Sequence, residues 1–214
     1  MSESTKEIPS TEVGDVGLPE DLARSDLYGL IARFFHLAPD QELLDQIATS
    51  ITNDQEAHDK NAPLAKVWRE VVAAAKNNPA KVWQDEFDQN FISVGRPNII
   101  LNGSFYIAGH LNEKPLVELR RALGALGLES AEEIAETEDH ISALCEVMRY
   151  LIAGDDVEVS NLTNQRVFFN DHIRSWYDEL CDAIEAIPEM RLYHPVAALT
   201  REFLAVEAQG FDMV

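Results

Sequence analysis

The densest group of reactive side chains in the sequence is the run Glu136-Thr137-Glu138-Asp139-His140, which stands where a helical pattern begins. Carboxylates in the first turn of a helix are stabilised by the helix dipole and accept hydrogen bonds from its free N–H groups. The same dipole disfavours an imidazolium, so His140 is expected to be held by Asp139 or Glu136, or to meet a ligand. The run predicts either a capped helix start, which is the commoner outcome, or an acidic binding site.

The signatures of common catalytic and metal sites are missing from the sequence. A di-iron helical bundle needs Glu-x-x-His pairs on facing helices, and no histidine here has a glutamate three residues before it. There is no Cys-x-x-Cys, no His-Glu-x-x-His, no phosphate-binding glycine loop with a lysine and no Gly-x-Ser-x-Gly. Cys145 and Cys181 lie in apolar helical patterns, where free thiols pack as small hydrophobes. We therefore predict no enzyme, no catalytic residue, no metal and no cofactor.

The chain is strongly acidic, with 17 Lys and Arg against 38 Asp and Glu and a formal net charge of −21. This sign disfavours nucleic acid and anionic membrane surfaces as partners. The excess is greatest over residues 131–190, which hold fifteen acidic and three basic residues. Such a block is either the solvated face of helices or a surface that attracts an arginine-bearing peptide.

Prolines and apolar spacing predict the elements that position these residues. The prolines at positions 19, 39, 63, 79, 115 and 195 are expected in first turns of helices. Apolar residues at three- and four-residue spacing predict helices over 19–37, 39–51, 63–76, 79–91, 115–126, 161–187 and 195–208. Ser130 is expected to start a short helix, and Thr137 to cap a longer one that ends at Ala153. The prediction is an all-α, single-domain helical bundle of about eight to ten helices over residues 18–214, after a disordered tail over residues 1–17.

Residues 93–114 break the helical pattern at glycines and a proline, yet they contain apolar runs. A segment of this kind is expected to lie against the core or against a ligand. Tyr106, close to Ser104, is predicted to form the wall of a groove for an apolar peptide helix.

The N-terminal residues 1–17 contain no apolar run of the kind found in secretory signals, and they do not resemble a transit peptide. No stretch approaches the roughly 20 apolar residues needed to span a bilayer. The expected location is the cytoplasm, without stable membrane insertion.

These features together resemble the TorD/DmsD/NarJ-like family of cytoplasmic chaperones, which mature redox enzymes, chiefly molybdoenzymes, that are exported by the twin-arginine route. The run 136–141 is similar to the family's Glu-Pro-Asp-His-type signature, with Thr137 where a proline is often found. Three more segments are similar in character: Glu86-Phe87 to Phe91 with Gly95-Arg96-Pro97, Ser104-Phe105-Tyr106, and Phe168 to Ile173 with Trp176. The loop after Phe91 lacks the proline-rich ending of many members.

The resemblance implies a chaperone that binds the twin-arginine signal peptide or folding intermediate of a molybdenum-containing redox enzyme until the cofactor is inserted. The expected peptide-binding residues are Ser104, Tyr106, Glu136, Glu138, Asp139 and His140. Asp139 and His140 would line the groove, Glu136 and Glu138 would attract arginines, and Tyr106 would contact the apolar segment.

Formate dehydrogenase is the cargo that the resemblance favours first, ahead of other molybdenum oxidoreductases. Two alternatives stay open: an assembly factor that binds the mature reductase subunit without its signal peptide, and a nucleotide-binding helical regulator. A monomer and a domain-swapped dimer are both compatible with the sequence.

Overall fold

The computed structural model describes residues 19–50, 62–92, 96–111, 114–128 and 136–213. These residues form ten helices: α1 (Pro19–His36), α2 (Gln41–Thr49), α3 (Pro63–Asn77), α4 (Ala80–Phe91), α5 (Gly103–Ala108), α6 (Lys114–Ala125), α7 (Ile141–Ala153), α8 (Leu162–His172), α9 (Tyr177–Glu185) and α10 (Tyr193–Asp212). Across these ranges there is no strand, and a single antiparallel bridge joins Asn102 to His140. The predicted all-α class and helix number are confirmed.

The prolines lie close to helix starts, although not always inside the first turn. Pro19 and Pro63 are the first residues of α1 and α3. Pro79 is the N-cap of α4, and Pro39 precedes Asp40, whose carboxylate caps α2 by accepting the Leu43 N–H at 2.8 Å. The tail over residues 1–17 and the short helix predicted at Ser130 lie outside the described residues.

The predicted single helix over 161–187 is wrong, because a turn at residues 173–176 separates α8 from α9. Ile173 and Trp176 are both buried at this turn. The break frees the His172 carbonyl, which accepts the indole N–H of Trp176 at 2.7 Å. A short helix, α5, also forms inside the segment that was expected to be irregular.

The core is built around aromatic side chains from α1, α4 and α10. The Tyr193 ring lies 5.6 Å from that of Trp83 and 5.0 Å from that of Phe91. Along the other side of α1, α7 packs closely, and α10 packs against α3 and α9. This arrangement fixes α1 beside α7, and both helices line the groove described below.

The start of α10 is capped by a residue from a distant part of the chain. Its N-cap residue, Leu192, makes no side-chain cap bond. Instead, Glu86 Oε1 on α4 accepts the N–H groups of Leu192 and Tyr193, both at 2.9 Å. Two orphan donors of the helix are satisfied in this way.

Replacing Glu86 by alanine is expected to lower the free energy of unfolding by about 1–2 kcal/mol, because both N–H groups lose their acceptor. Urea denaturation followed by far-UV circular dichroism measures the loss. Asp85→Ala is the matched control, because Asp85 is exposed and forms a surface ion pair with Lys81, an interaction worth about 0.5 kcal/mol. Equal midpoints for the two variants would contradict the capping role.

Candidate functional site

The turn at residues 136–140 leads into α7, and His140 is the cap of that helix. His140 Nδ1 accepts the Ser142 N–H at 3.2 Å and lies 2.7 Å from Ser142 Oγ. An accepting Nδ1 requires the neutral ring, and burial lowers the pKa of His140, which favours that form. The prediction that Thr137 caps the helix is wrong, because α7 begins four residues later and Thr137 Oγ1 donates to Asp139 instead.

Hydrogen bonds of Asp139 connect this turn to the segment before α5. It is 4% exposed, and its carboxylate accepts hydrogen bonds from the Ser104 N–H at 2.8 Å, from Asn102 Nδ2 at 3.2 Å and from Thr137. Its own carbonyl accepts the Gly103 N–H at 2.9 Å. Burial acts to raise the pKa of Asp139, but the hydrogen bonds outweigh it and the pKa is lowered. The ionised carboxylate therefore holds two distant segments together.

Tyr106 on α5 packs against the turn between α8 and α9. Its ring stacks on Trp176 with centroids 5.5 Å apart, and its hydroxyl donates to the Ile100 carbonyl at 2.8 Å. Gly103 also contacts the Trp176 indole, since a Cβ at this position would lie 2.9 Å from Trp176 Nε1. Only glycine fits this approach without displacing the tryptophan.

The main groove, as we name it, has a volume of about 540 Å³ and lies between α1, α6, α7 and the turn at 136–138. Its apolar surface comes from Ala32, Leu123, Leu128, Ala143, Val147 and Tyr150. Its polar residues are Arg33, His36, Glu136, Thr137, Glu138, Ser142 and Glu146. The main groove is thus an apolar trough whose polar lining includes three carboxylates and Arg33.

The three carboxylates of the main groove differ in their existing partners. Glu138 pairs with Arg120, with Nη2 and Oε2 2.9 Å apart, and this contact lowers the pKa of Glu138. Glu146 pairs with Arg149 at 2.8 Å. Glu136 lies 3.7 Å from Nδ1 of both His36 and His140. Because its neighbours are histidines, Glu136 is the carboxylate best able to meet an added cation.

A second concavity, which we call the small cavity, has a volume of about 110 Å³ and is lined by residues of α5, α6, the end of α8 and the turns at 136–140 and 173–176. Ser104 and Asp139 line it, whereas Glu136 and Glu138 line the main groove. Tyr106 and His140 line neither concavity. The six predicted site residues therefore do not form one site. Two line the main groove, two line the small cavity, and Tyr106 and His140 pack behind these surfaces.

Sequence reasoning missed the contributions of α1 and α7 to the main groove. On α7, Ala143, Val147 and Tyr150 repeat at helical spacing beside the fully buried stripe that contains Leu144 and Met148. Two neighbouring apolar stripes on one helix indicate that the helix has two contact faces. That signal was available in the sequence, whereas the position of α1 beside α7 was not.

Within the described ranges, no group of three His, Cys, Asp or Glu side chains is arranged to hold a metal ion. The same residues contain no helix with the length and apolarity needed to cross a bilayer.

The family model for the nitrate reductase delta subunit matches residues 57–182, which is more than half of the chain. The chain belongs to this family of TorD- and NarJ-type proteins. The resemblance inferred from the residues is thereby confirmed. The matched range includes the turn at 136–140 and the small cavity, while α1 precedes it.

Curated relatives in the TorD/NarJ family include proteins named chaperone protein TorD from three strains of Vibrio cholerae serotype O1: El Tor Inaba, Classical Ogawa and M66-2. Each is 25% identical over 134 residues, covering 59% of this chain and 61% of the relative. The match therefore spans less than two thirds of the length of these TorD chaperones.

Proposed function

We propose that this protein is a cytoplasmic maturation chaperone that binds the twin-arginine signal peptide, or the folding intermediate, of a molybdenum-containing redox enzyme. It acts by binding and release rather than by catalysis, and it retains the precursor until the cofactor is in place. Membership of the TorD/NarJ family supports the chaperone class. Formate dehydrogenase remains the first candidate cargo, on the resemblance alone.

The single observation that carries the proposal is the main groove. A signal peptide has a basic segment followed by an apolar one, and the groove offers an apolar trough whose lining includes Glu136, Glu138 and Glu146. These carboxylates favour association with a basic peptide through long-range attraction, and apolar contact gives the retained affinity. In this arrangement Val147 and Tyr150 contact the apolar segment and Glu136 meets an arginine. Asp139 and His140 act by positioning the turn.

A synthetic leader peptide, with two consecutive arginines before an apolar segment, tests the proposal in a fluorescence-anisotropy titration with the full chain. Val147→Asp is expected to weaken binding at least tenfold, because it places a charge among apolar groups. Val82→Asp is the control, since Val82 is exposed on α4 and lines neither concavity. Both variants are first checked for the wild-type thermal midpoint.

Equal affinity of the two variants would contradict binding in the main groove. Failure of the leader to bind the wild-type chain, together with binding of the cargo subunit that lacks the leader, would favour the assembly-factor alternative. Saturable binding of GTP that blocks the leader would favour the nucleotide-binding alternative.

A further inference from the structure

His140 caps α7 with a ring nitrogen that can also carry a proton. Nδ1 accepts the Ser142 N–H at 3.2 Å, and the Ser142 hydroxyl lies 2.7 Å from the same nitrogen. A histidine nitrogen accepts a hydrogen bond only when it carries no proton, and both ring nitrogens of a protonated histidine are donors. Protonation of His140 therefore removes the side-chain acceptor that caps α7.

A carboxylate lies beside the same nitrogen of His140. Glu136 Oε2 is 3.7 Å from His140 Nδ1, which is about 1 Å longer than a charge-assisted hydrogen bond. The Glu136 side chain is 41% exposed, so a change of its rotamer closes this gap without a change of the backbone. A proton on Nδ1 thus has an acceptor within reach, whereas the Ser142 N–H then receives no acceptor from this ring.

The surroundings of His140 act on its charge in opposite directions. The residue is 5% exposed, and burial lowers the pKa of the ring. The titratable and charged groups around it come from its own turn, from α1 and from α6: Glu136, Glu138, Asp139, His36 and Arg120. The negative charges of Glu136 and Asp139 favour the protonated ring, and His36 opposes it. Arg120 is paired with Glu138 at 2.9 Å, so these two charges largely offset each other.

We infer that the start of α7 is a pH-dependent switch in which His140 exchanges its hydrogen-bond partner. With a neutral ring, Nδ1 caps α7 and Glu136 makes no close contact with the imidazole. With a protonated ring, Nδ1 donates to Glu136, and the Ser142 N–H loses its acceptor. The same proton thereby loosens the first turn of α7 and draws Glu136 towards the buried ring.

Backbone hydrogen bonds confine this change to one turn. The Asp139 carbonyl accepts the Gly103 N–H at 2.9 Å, and the Leu101 carbonyl accepts the Ile141 N–H at 2.8 Å. These bonds lie on either side of His140 and involve no titratable group. Glu136 lines the main groove, so the switch alters the lining of the groove while the fold around it is retained.

The direction of the pH dependence follows from the burial of His140. Because the folded protein lowers the pKa of the ring, the neutral ring contributes stability above the pKa of an unfolded histidine, about 6.5. This contribution is lost as the pH falls through the lower pKa of the folded state. The capped form is therefore the form at neutral pH, and the exchange of partners takes place in mild acid.

An NMR titration of the full chain from pH 8 to pH 5 tests the switch, since carboxylates stay largely ionised over this range. The ring signals of His140 report its protonation. Hydrogen exchange of the Ser142 amide, corrected for the intrinsic pH dependence of exchange, reports the cap. Both are expected to change with one midpoint, and the protection of Ser142 should fall about fivefold, as for the loss of a helix cap. The Leu151 amide, inside α7, should keep its protection.

The variant His140→Asn separates the switch from a purely structural role. Asparagine is a preferred N-cap whose side-chain oxygen accepts the same N–H but does not titrate. This variant should protect Ser142 at pH 8 and lose the pH dependence. Glu136→Gln removes the charged acceptor and should lower the midpoint of the His140 ring. His110→Gln is the control, because His110 is exposed between α5 and α6, and it should leave that midpoint unchanged.

Constant protection of Ser142 while the His140 ring titrates would overturn the inference, as would a ring that stays neutral down to pH 5. An equal loss of protection in His140→Asn would assign the pH dependence to another group and would also overturn it. An unchanged midpoint in Glu136→Gln would contradict the exchange of partners. Because no leader peptide is present, failure of the switch is distinguishable from failure of the proposed function.

Discussion

Asp139→Ala is expected to lower the free energy of unfolding by about 2–4 kcal/mol, because it removes a buried charged acceptor and leaves several donors unpaired. The donors are the Ser104 N–H, Asn102 Nδ2 and the Thr137 hydroxyl. Because these hydrogen bonds join the segment before α5 to the start of α7, both segments should be destabilised. Urea denaturation measures the global effect, and hydrogen exchange at the Gly103 and Ile141 amides measures the local one.

The pH dependence of this contribution follows from the direction of the pKa shift. The folded protein lowers the pKa of Asp139, so the carboxylate contributes stability above the pKa of a free aspartate, about 3.9, and loses that contribution as the pH falls below it. The difference in stability between wild type and Asp139→Asn is therefore expected to be full at neutral pH and to shrink in acid. A difference that is independent of pH, or a loss no larger than that of the exposed control Asp155→Ala, would contradict this role.

The anchoring role of Asp139 affects how binding experiments are interpreted. Alanine variants of Asp139 and His140 should lose peptide affinity even if neither side chain touches the peptide, because the turn that carries Glu136 and Glu138 would lose its anchor. A direct contact is shown only by a variant whose unfolding free energy and thermal midpoint are unchanged.

Glu207→Ala is expected to lower the free energy of unfolding by about 3 kcal/mol, because it removes one partner of a largely buried ion pair. Glu207 is 5% exposed and accepts two hydrogen bonds from Arg24, both at 2.7 Å, and one from the Tyr28 hydroxyl at 3.1 Å. Burial raises the pKa of Tyr28, so its hydroxyl stays protonated and would be left as an unpaired donor. Because these contacts connect α1 to α10, we expect the two helices to unfold together in a single transition.

The matched control for this prediction is Glu202→Ala, a partly exposed carboxylate on the same helix, which should change stability by no more than about 0.5 kcal/mol. Glu207→Gln should fall between the two, because the amide retains an acceptor but loses the charge. A decrease in the free energy of unfolding for Glu207→Ala as small as that for Glu202→Ala would contradict the prediction. It would show that hydrogen bonds to water replace those of Arg24 and Tyr28 without loss of stability.

The parts of the fold that follow local rules could be predicted from the sequence. Apolar spacing located α1 and α7, and Pro63 marked the start of α3, because these features depend on neighbours within two turns. The break between α8 and α9 could not be predicted in this way, since Trp176 leaves the helical path to stack on Tyr106, 70 positions earlier. The cap that Glu86 gives to α10 depends on a similarly distant contact.

The candidate site shows the same division. Residue types alone singled out Glu136 and Glu138, which do line the main groove, because clustered carboxylates at a helix start can either cap the helix or meet a cation. The role of Asp139 required knowledge of its partners Asn102 and Ser104, more than thirty positions away. The contributions of Ala32 and Val147 depend on which helices are neighbours, and a single sequence carries no direct record of that.

The surroundings of Trp176 give this protein an optical reporter of its own. The indole stacks on Tyr106 and touches Gly103, whose neighbour Ser104 lines the small cavity. Trp83, by contrast, is enclosed in the aromatic core around Tyr193. A group that enters the small cavity is expected to change the electric field at Trp176, so the contribution of Trp176 to the protein's emission can follow occupancy.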